Sequence, residues 1–434
     1  MLRSLFASVL MLAVFPAAAA DAQAPVAAVD AKVLAWRRDL HQHPELGNRE
    51  TRTSNLVAAH LRALGLEPKV GIAHTGVVAV LKGGRPGPRI ALRADMDALP
   101  VSERVDLPFA SRATADYRGQ QVGVMHACGH DAHTAILMGV AEVLVGMREQ
   151  LAGEVVFVFQ PAEEGPPDGE QGGARLMLSE GLFADGKPQA MFGLHVFSTL
   201  NVGQIGVRPG PLMAASDRFT INVRGRQTHG SRPWGGVDPV VVAAELVGSA
   251  QQIVSREMNI SRWPVVVTFG AIHGGVRYNI IPDEVTLEGT IRTFDEAMRA
   301  DVYTRLRRVA DHTAAAHGAS VSHAIPVSEA DPNDLGNPVT MNDAALTAKV
   351  LPLLQSVVGA DHVVDPGLTM GAEDFAYYAR EVPATFFFIG ATPRGTDPSK
   401  APSNHSPEFF LDEEALRIGT RALLAVALGS LTAP

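Results

Sequence analysis

One cysteine, Cys128, stands in 434 residues, so no disulfide can form within the chain. Apolar runs are short: none reaches the ~18–20 residues of a membrane-spanning helix. Cations are in deficit, 37 Lys and Arg against 46 Asp and Glu, and the net charge of −9 argues against a nucleic-acid partner, which wants a basic surface. Charged residues are 19% of the chain and hydrophobic residues 46%, which excludes a disordered protein and leaves ample material for a core. The length suits about two or three domains. Internal repeats are lacking, and the only low-complexity stretch is an Ala-rich run near the start.

That run belongs to residues 1–22, where Met-Leu-Arg-Ser precedes LFASVLMLAVF and then PAAAADA. A charged start, an apolar stretch and small residues predict a signal peptide cleaved after Ala20 or Ala22. The expected product is periplasmic or secreted and free of the membrane after cleavage. An amphipathic first helix or an uncleaved anchor is the alternative. A free thiol is a liability in an oxidising compartment, unless something such as a metal occupies it.

From Val29 to Leu40 and from Thr51 to Leu64, apolar residues recur every three or four positions, which predicts two helices. Short apolar runs rich in β-branched residues follow: HTGVVAVLKG, PRIALRAD, GEVVFVFQ, QAMFGLHV and, much later, ATFFFIG. Most are apolar throughout, as in strands covered on both faces. The run Phe386–Phe388 therefore reads as core. Helices are expected between them at His133–Met147, Gly173–Glu180, Asn342–Val357, Glu373–Tyr378 and Asp412–Leu428. The sum is an α/β fold with a mostly parallel central sheet. Residues 216–327 differ, because their strands and helices come in the order βαββαβ, a ferredoxin-like unit that closes on itself. The expected division is 23–215 and 328–434 for a host domain, with 216–327 inserted between turn-rich borders.

Chemistry collects after the apolar runs. IALRAD ends at Asp95, VVFVFQPAEE at Glu163 and Glu164, and AMFGLH at His195. Open α/β sheets bind ligands outside the carboxyl ends of their strands. The segment HACGHDAHT adds Cys128 and His130, two apart and able to reach one metal; thiolate and imidazole suit borderline-soft divalent ions. A buried core cysteine beside surface histidines is the plainer alternative. Asp131 and His133 read as supports or as part of a helix start, where an acid is favoured. Of the adjacent Glu163 and Glu164, one suits a metal and the other a general base. His405, in the loop SNHSPEFF, is preferred to His362 as a last histidine.

Taken in order, RADMDALP, HACGHDAHT, QPAEE, GLH, the segment around His229, NIIPD, MGAEDFA and SNHSPEFF resemble the dinuclear metallo-amidohydrolases and carboxypeptidases of the aminoacylase, hippurate hydrolase and indole-acetyl-amino-acid hydrolase type. The resemblance covers nearly the whole chain after residue 22. It implies a zinc-peptidase-like catalytic domain carrying a ferredoxin-like lid that also dimerises. It implies two divalent metal ions (zinc, manganese, cobalt or nickel) held by Cys128, His130, Glu164, His195 and His405. Glu163 becomes the general base and Asp95 an orienting carboxylate. Many relatives carry His where this chain has Arg93; with Cys128 and His195, that departure matches the hippurate hydrolase-like subgroup. His229 is implied to reach the active site of a second copy in a homodimer and to stabilise the oxyanion. Asn279 and Arg292 resemble substrate-binding positions, the Arg fork suiting a carboxylate. Gly371 marks a place where backbone can approach a ligand. The expected reaction is hydrolysis of the amide bond of N-acyl amino acids by metal-activated water. A carboxypeptidase or dipeptidase on the same scaffold, or a catalytically silent binding protein, are the other readings.

Overall fold

The computed structural model describes residues 26–329 and 336–431. The expected signal peptide lies outside them, as does most of the second border of the insert. Among the described residues no helix is long and apolar enough to cross a membrane.

The chain enters through helices α1 (Asp30–Gln42) and α2 (Thr51–Ala63). Strands β1 (Lys69–Ile72), β2 (Gly76–Lys82) and β3 (Arg85–Asp95) follow, then α3 (His130–Gly146), β4 (Ala152–Gln160), α4 (Gly173–Ser179) and β5 (Ala190–Asn201). After the insert come α7 (Ala344–Val358), α8 (Phe375–Glu381), β10 (Ala384–Thr392) and α9 (Glu414–Leu431). The main sheet has eight strands, in the order β1-β2-β4-β3-β5-β10 with two short strands (Ile205–Gly206, Val363–Val364) beyond. β4, β3, β5 and β10 are mutually parallel, so their carboxyl ends lie at one edge.

These strands alternate even though they are apolar throughout. Ile90, Leu92, Phe157, Phe159, Phe192, Leu194 and Phe387 face one core with α1, α2, α3 and α9. Ala91, Val156, Val158, Met191, Phe386 and Phe388 face the other, with α4 and α8. Both faces are dry, which is why few polar residues stand in the middle of these strands.

Two local departures from the sequence reading have simple causes. Helix α3 begins at His130 rather than His133, because Gly129 before it adopts φ +88°; a Cβ there would lie 2.2 Å from Val196 Cγ2, so only glycine fits. Helix α7 begins after Asn342 because that side chain exchanges two hydrogen bonds with the Phe386 backbone, at 2.7 and 2.8 Å, while Asp343 caps the helix by accepting from Leu346 N at 2.7 Å. Strand β5 also runs six residues past His195, which sits inside the strand rather than at its end.

The inserted unit is β6 (Ala215–Arg224), α5 (Pro239–Gln252), β7 (Val265–Gly274), β8 (Glu284–Thr293), α6 (Glu296–Ala316) and β9 (Ser320–Ala324). Its antiparallel sheet runs β7-β8-β6-β9. Phe219, Ile221, Leu246, Leu287, Ile291 and Leu306 build a core of its own. A buried ion pair ties its sheet to α6: Arg299 donates Nε and Nη2 to Asp217 at 2.8 and 2.6 Å. Removing one member of such a pair leaves an uncompensated buried charge. Arg299→Met is therefore expected to cost about 3–5 kcal/mol in urea unfolding; a loss below ~1 kcal/mol, the worth of a surface pair, would show that Asp217 is solvated.

Candidate metal centre

The carboxyl edge of β4, β3 and β5 gathers residues far apart in sequence. Cys128 Sγ lies 3.3 Å from His195 Nε2 and 3.2 Å from His405 Nε2. His405 Nε2 is 3.0 Å from Glu164 Oε1. His130 Nε2 is 4.0 Å from both Glu163 Oε2 and Glu164 Oε1. Ligand atoms within 4.8 Å of one another form the groups Cys128–His130–His195, Cys128–Glu164–His405 and His130–Glu163–Glu164. Cys128, His130 and Glu164 each belong to two of these groups, so the three groups are contiguous. All five expected ligands converge.

Each ligand is aimed by its backbone and its other polar atom. His195 Nδ1 is 2.7 Å from the Val196 carbonyl, which leaves Nε2 for the site. His130 Nδ1 is 3.2 Å from Asp97 Oδ1, and its Nε2, fully buried, has no hydrogen-bond partner. An orphaned imidazole nitrogen facing two carboxylates, beside a thiol and two more imidazoles, is the donor set a borderline divalent cation wants. His405 sits at φ +71°, its N–H donating to Ala127 O at 2.8 Å. The preceding Asn404 pins the loop, donating Nδ2 to Val196 O at 3.1 Å and accepting from Ser198 N at 3.1 Å.

Behind the ligands lies a layer of buried charge. Asp95 Oδ2 accepts from Arg93 Nη1 at 2.6 Å, and Asp95 Oδ1 is 2.6 Å from His133 Nδ1. His133 Nε2 accepts from Val196 N at 2.8 Å, so both its nitrogens are spent and it is a support, not a ligand. Asp131 meets Arg37 at 2.9 Å and His41 at 2.8 Å. Arg93, 1% exposed, also donates to Gln160, Glu373 and Asp374. Burial opposes ionisation of Asp95, but His130, His133 and Arg93 together hold it well below the usual carboxylate range. Burial works against charge on His130 too, yet Asp95 and Asp97 push it up to about 10. Cys128 is driven well above an ordinary thiol by burial and then by Glu164 and Glu163, and Glu163 well above an ordinary carboxyl by burial and then by Glu373, Glu164 and Asp374. The field is strongly negative, and a proton or a cation answers it.

A cleft of about 500 Å³ opens onto the groups and is lined by Cys128, Glu163, His195, Arg292, Gly371 and His405. Arg292 comes from β8 of the insert, so the cleft lies where insert and host meet. Gly371 does not need to be glycine for space; a Cβ would meet the tip of Met213 at 3.3 Å and Thr369 Cγ2 at 3.6 Å. His229 and Asn279 are not among the cleft residues. They stand side by side on the insert, where Gly230 N donates to Asn279 O at 2.8 Å, and His229 is exposed.

Sequence reasoning missed Asp97, Glu373 and Asp374. Asp97 accepts from Glu164 N at 3.0 Å and faces His130. Its signal was present, because Arg93, Asp95 and Asp97 share one face of an extended chain. Glu373 and Asp374 lie in the segment MGAEDFA, where sequence reasoning gives a role to Gly371 alone.

Comparison with known proteins accords with this geometry. Residues 91–429 match the family described as Peptidase family M20/M25/M40. The chain is 38% identical over 399 residues to an N-acetylcysteine deacetylase of Bacillus subtilis, covering 92% of this chain and 96% of that one. It is 37% identical over 397 residues to thermostable carboxypeptidase 1 of Saccharolobus solfataricus, covering 91% and 94%. A solved dinuclear metal-binding peptidase of the M20 family from Bacillus subtilis superposes with a TM-score of 0.75 at 35% identity, covering 94% of this chain and all of that one (100%).

Metal ligands must shed their protons to bind. Loading chelator-stripped protein with zinc should therefore release protons from Cys128 and His130, and affinity should fall from pH 8 to pH 6. Calorimetry in two buffers of different ionisation heat measures the release; an identical heat in both would contradict the ligand set.

Proposed function

This chain belongs to peptidase family M20/M25/M40 and is a metal-dependent hydrolase, and from that premise we propose that it cleaves the amide bond of N-acyl amino acids of the hippurate type. The observation that carries the substrate class is Arg292, a half-buried cation in the same cleft as Glu163 and the candidate ligand groups. The guanidinium fork suits the free carboxylate of an amino-acid leaving group.

Cys128, His130, Glu164, His195 and His405 would hold two divalent ions. Such ions, when bound, polarise a carbonyl and lower the pKa of water towards ~7. The chain's own residues do the rest. Glu163 has a carboxyl oxygen 4.0 Å from His130 Nε2 and accepts weakly from Asp374 N at 3.3 Å. Burial and the neighbouring carboxylates favour the protonated form of Glu163, the form it reaches once it has taken a proton. Glu163 takes the proton of the attacking water and passes it to the leaving amine. Asp95, fixed by Arg93 and His133, keeps the histidine layer in place. Glu163→Gln should abolish turnover and leave metal content intact, measured by hydrolysis of hippurate and by metal analysis; near-normal turnover would remove Glu163 from this role.

His229 is assigned to the oxyanion in the cleft of a second copy. Support comes from its exposure away from its own cleft and from the apolar surface of the same unit, where Trp234, Val276 and Tyr278 are 76%, 94% and 95% exposed. Loss of one oxyanion donor costs about 3–4 kcal/mol in other enzymes. Chains carrying His229→Ala and chains carrying Glu163→Gln should each be inactive alone, yet regain activity when co-refolded, because one cleft of each mixed dimer is complete. Failure of the mixture to exceed its parents would show that His229 does not act across subunits.

A carboxypeptidase or dipeptidase reading rests on the same Arg292, which suits a peptide's terminal carboxylate equally well. A panel of hippurate, N-acetyl amino acids and dipeptides, assayed on protein of known metal content, separates the two.

A further inference from the structure

Glu163 and Glu164 owe their direction to a turn that costs backbone strain. Strand β4 ends at Gln160, and Ala162 then adopts φ +50°, a conformation that a residue with a Cβ rarely holds without support. The support comes from a residue 112 positions earlier. Glu50, at the start of α2 and 0% exposed, accepts the Ala162 N–H at 2.8 Å through Oε1 and the Thr75 hydroxyl at 2.5 Å through Oε2. On the far side of Glu163, Asp97 accepts the Glu164 N–H at 3.0 Å. The base is thus bracketed by two backbone N–H groups, each held by a buried carboxyl.

The turn is also pressed from outside. A Cβ on Gly47 would lie 2.8 Å from Gly165 O and 3.1 Å from Ala162 Cβ, and one on Gly172 would lie 3.0 Å from Ala162 Cβ. There is no room for the turn to relax in these directions.

We propose that Glu50 is a positioning residue for hydrolysis: by holding the Ala162 N–H it keeps that residue left-handed and so keeps both the Glu163 and Glu164 carboxylates on the metal groups. This rests on the assignment of Glu163 as base and Glu164 as ligand. Glu50 touches neither substrate nor ion; it acts through one peptide unit. Burial, and then the charge of Asp97, push its carboxyl up to about 8, so the neutral amide of Gln is a close replacement.

The test uses the metal-loaded full-length protein. Glu50→Ala should lower kcat for hippurate about 100-fold, the size expected when a reacting group moves by about 1 Å, with KM within about threefold. Cobalt affinity, read by chelator competition, should fall with it, because Glu164 moves as well. Glu50→Gln should stay near wild type. Adding Ala162→Gly to Glu50→Ala should recover at least about tenfold in kcat, because glycine holds the left-handed conformation unaided. A merely structural role for Glu50 gives no such recovery. If Glu50→Ala does not fold, Gly47→Ala pushes the same turn from the other side and should produce the same kcat loss.

Unchanged kcat in a folded Glu50→Ala or Gly47→Ala protein overturns the proposal. So does a loss that Ala162→Gly leaves untouched. Glu163→Gln, assayed in parallel, separates the two levels: an active Glu163→Gln defeats the underlying assignment, whereas an inactive one beside a fully active Glu50→Ala defeats the Glu50 inference alone.

Discussion

Negative charge packed at the dry end of a sheet is the constraint on which the rest of this protein depends. Asp95, Asp97, Glu373 and Asp374 are at most 6% exposed, and Glu163 and Glu164 sit just in front of them. Buried carboxylates are tolerated only when something positive or hydrogen-bonding answers each of them. Arg93 answers from behind, with contacts to Asp95, Glu373 and Asp374 between 2.6 and 3.0 Å. In front, the imidazoles of His130, His195 and His405 and the sulfur of Cys128 leave the remaining demand to cations. The lone cysteine is buried in two of the groups that could hold a metal ion.

The same constraint shapes the fold around the site. Four parallel strands with both faces covered leave no lateral exit for polar side chains, so function is pushed to the carboxyl edge. The inserted unit has its own core and contributes Arg292 to the cleft without sharing in either core of the host. A unit with its own core can place Arg292 at the cleft while Trp234, Val276 and Tyr278 stay exposed.

Much of this was written locally. Short apolar runs rich in β-branched residues gave β3, β4, β5 and β10, and the βαββαβ order gave the insert. The motif HACGHDAHT pointed to a metal because it sets sulfur and imidazole two residues apart among further histidines, and the structure brings Cys128 and His130 into candidate ligand groups. Some boundaries were not legible, since Gly129 lets α3 start early only because Val196 packs against it. Arg93 read as a departure from a motif; its role as the buried cation that answers several carboxylates is visible only once Glu373 and Asp374, 280 and 281 positions away, are brought to it.

By itself, then, the sequence determined the chemistry available and the periods that make strands and helices, because both depend on residues within one turn or one strand of each other. It could name Cys128, His130, Glu163, Glu164, His195 and His405, since their types carry the signal. Only the tertiary structure decided which atoms face inward and what holds them there. Glu50 is the clearest case: nothing in Asn48-Arg49-Glu50-Thr51 marks it, and only the fold brings its carboxyl to the Ala162 N–H in the turn after β4. Long-range contacts are set by how whole elements pack, and that information is spread over the two host cores rather than written beside the residues that use it.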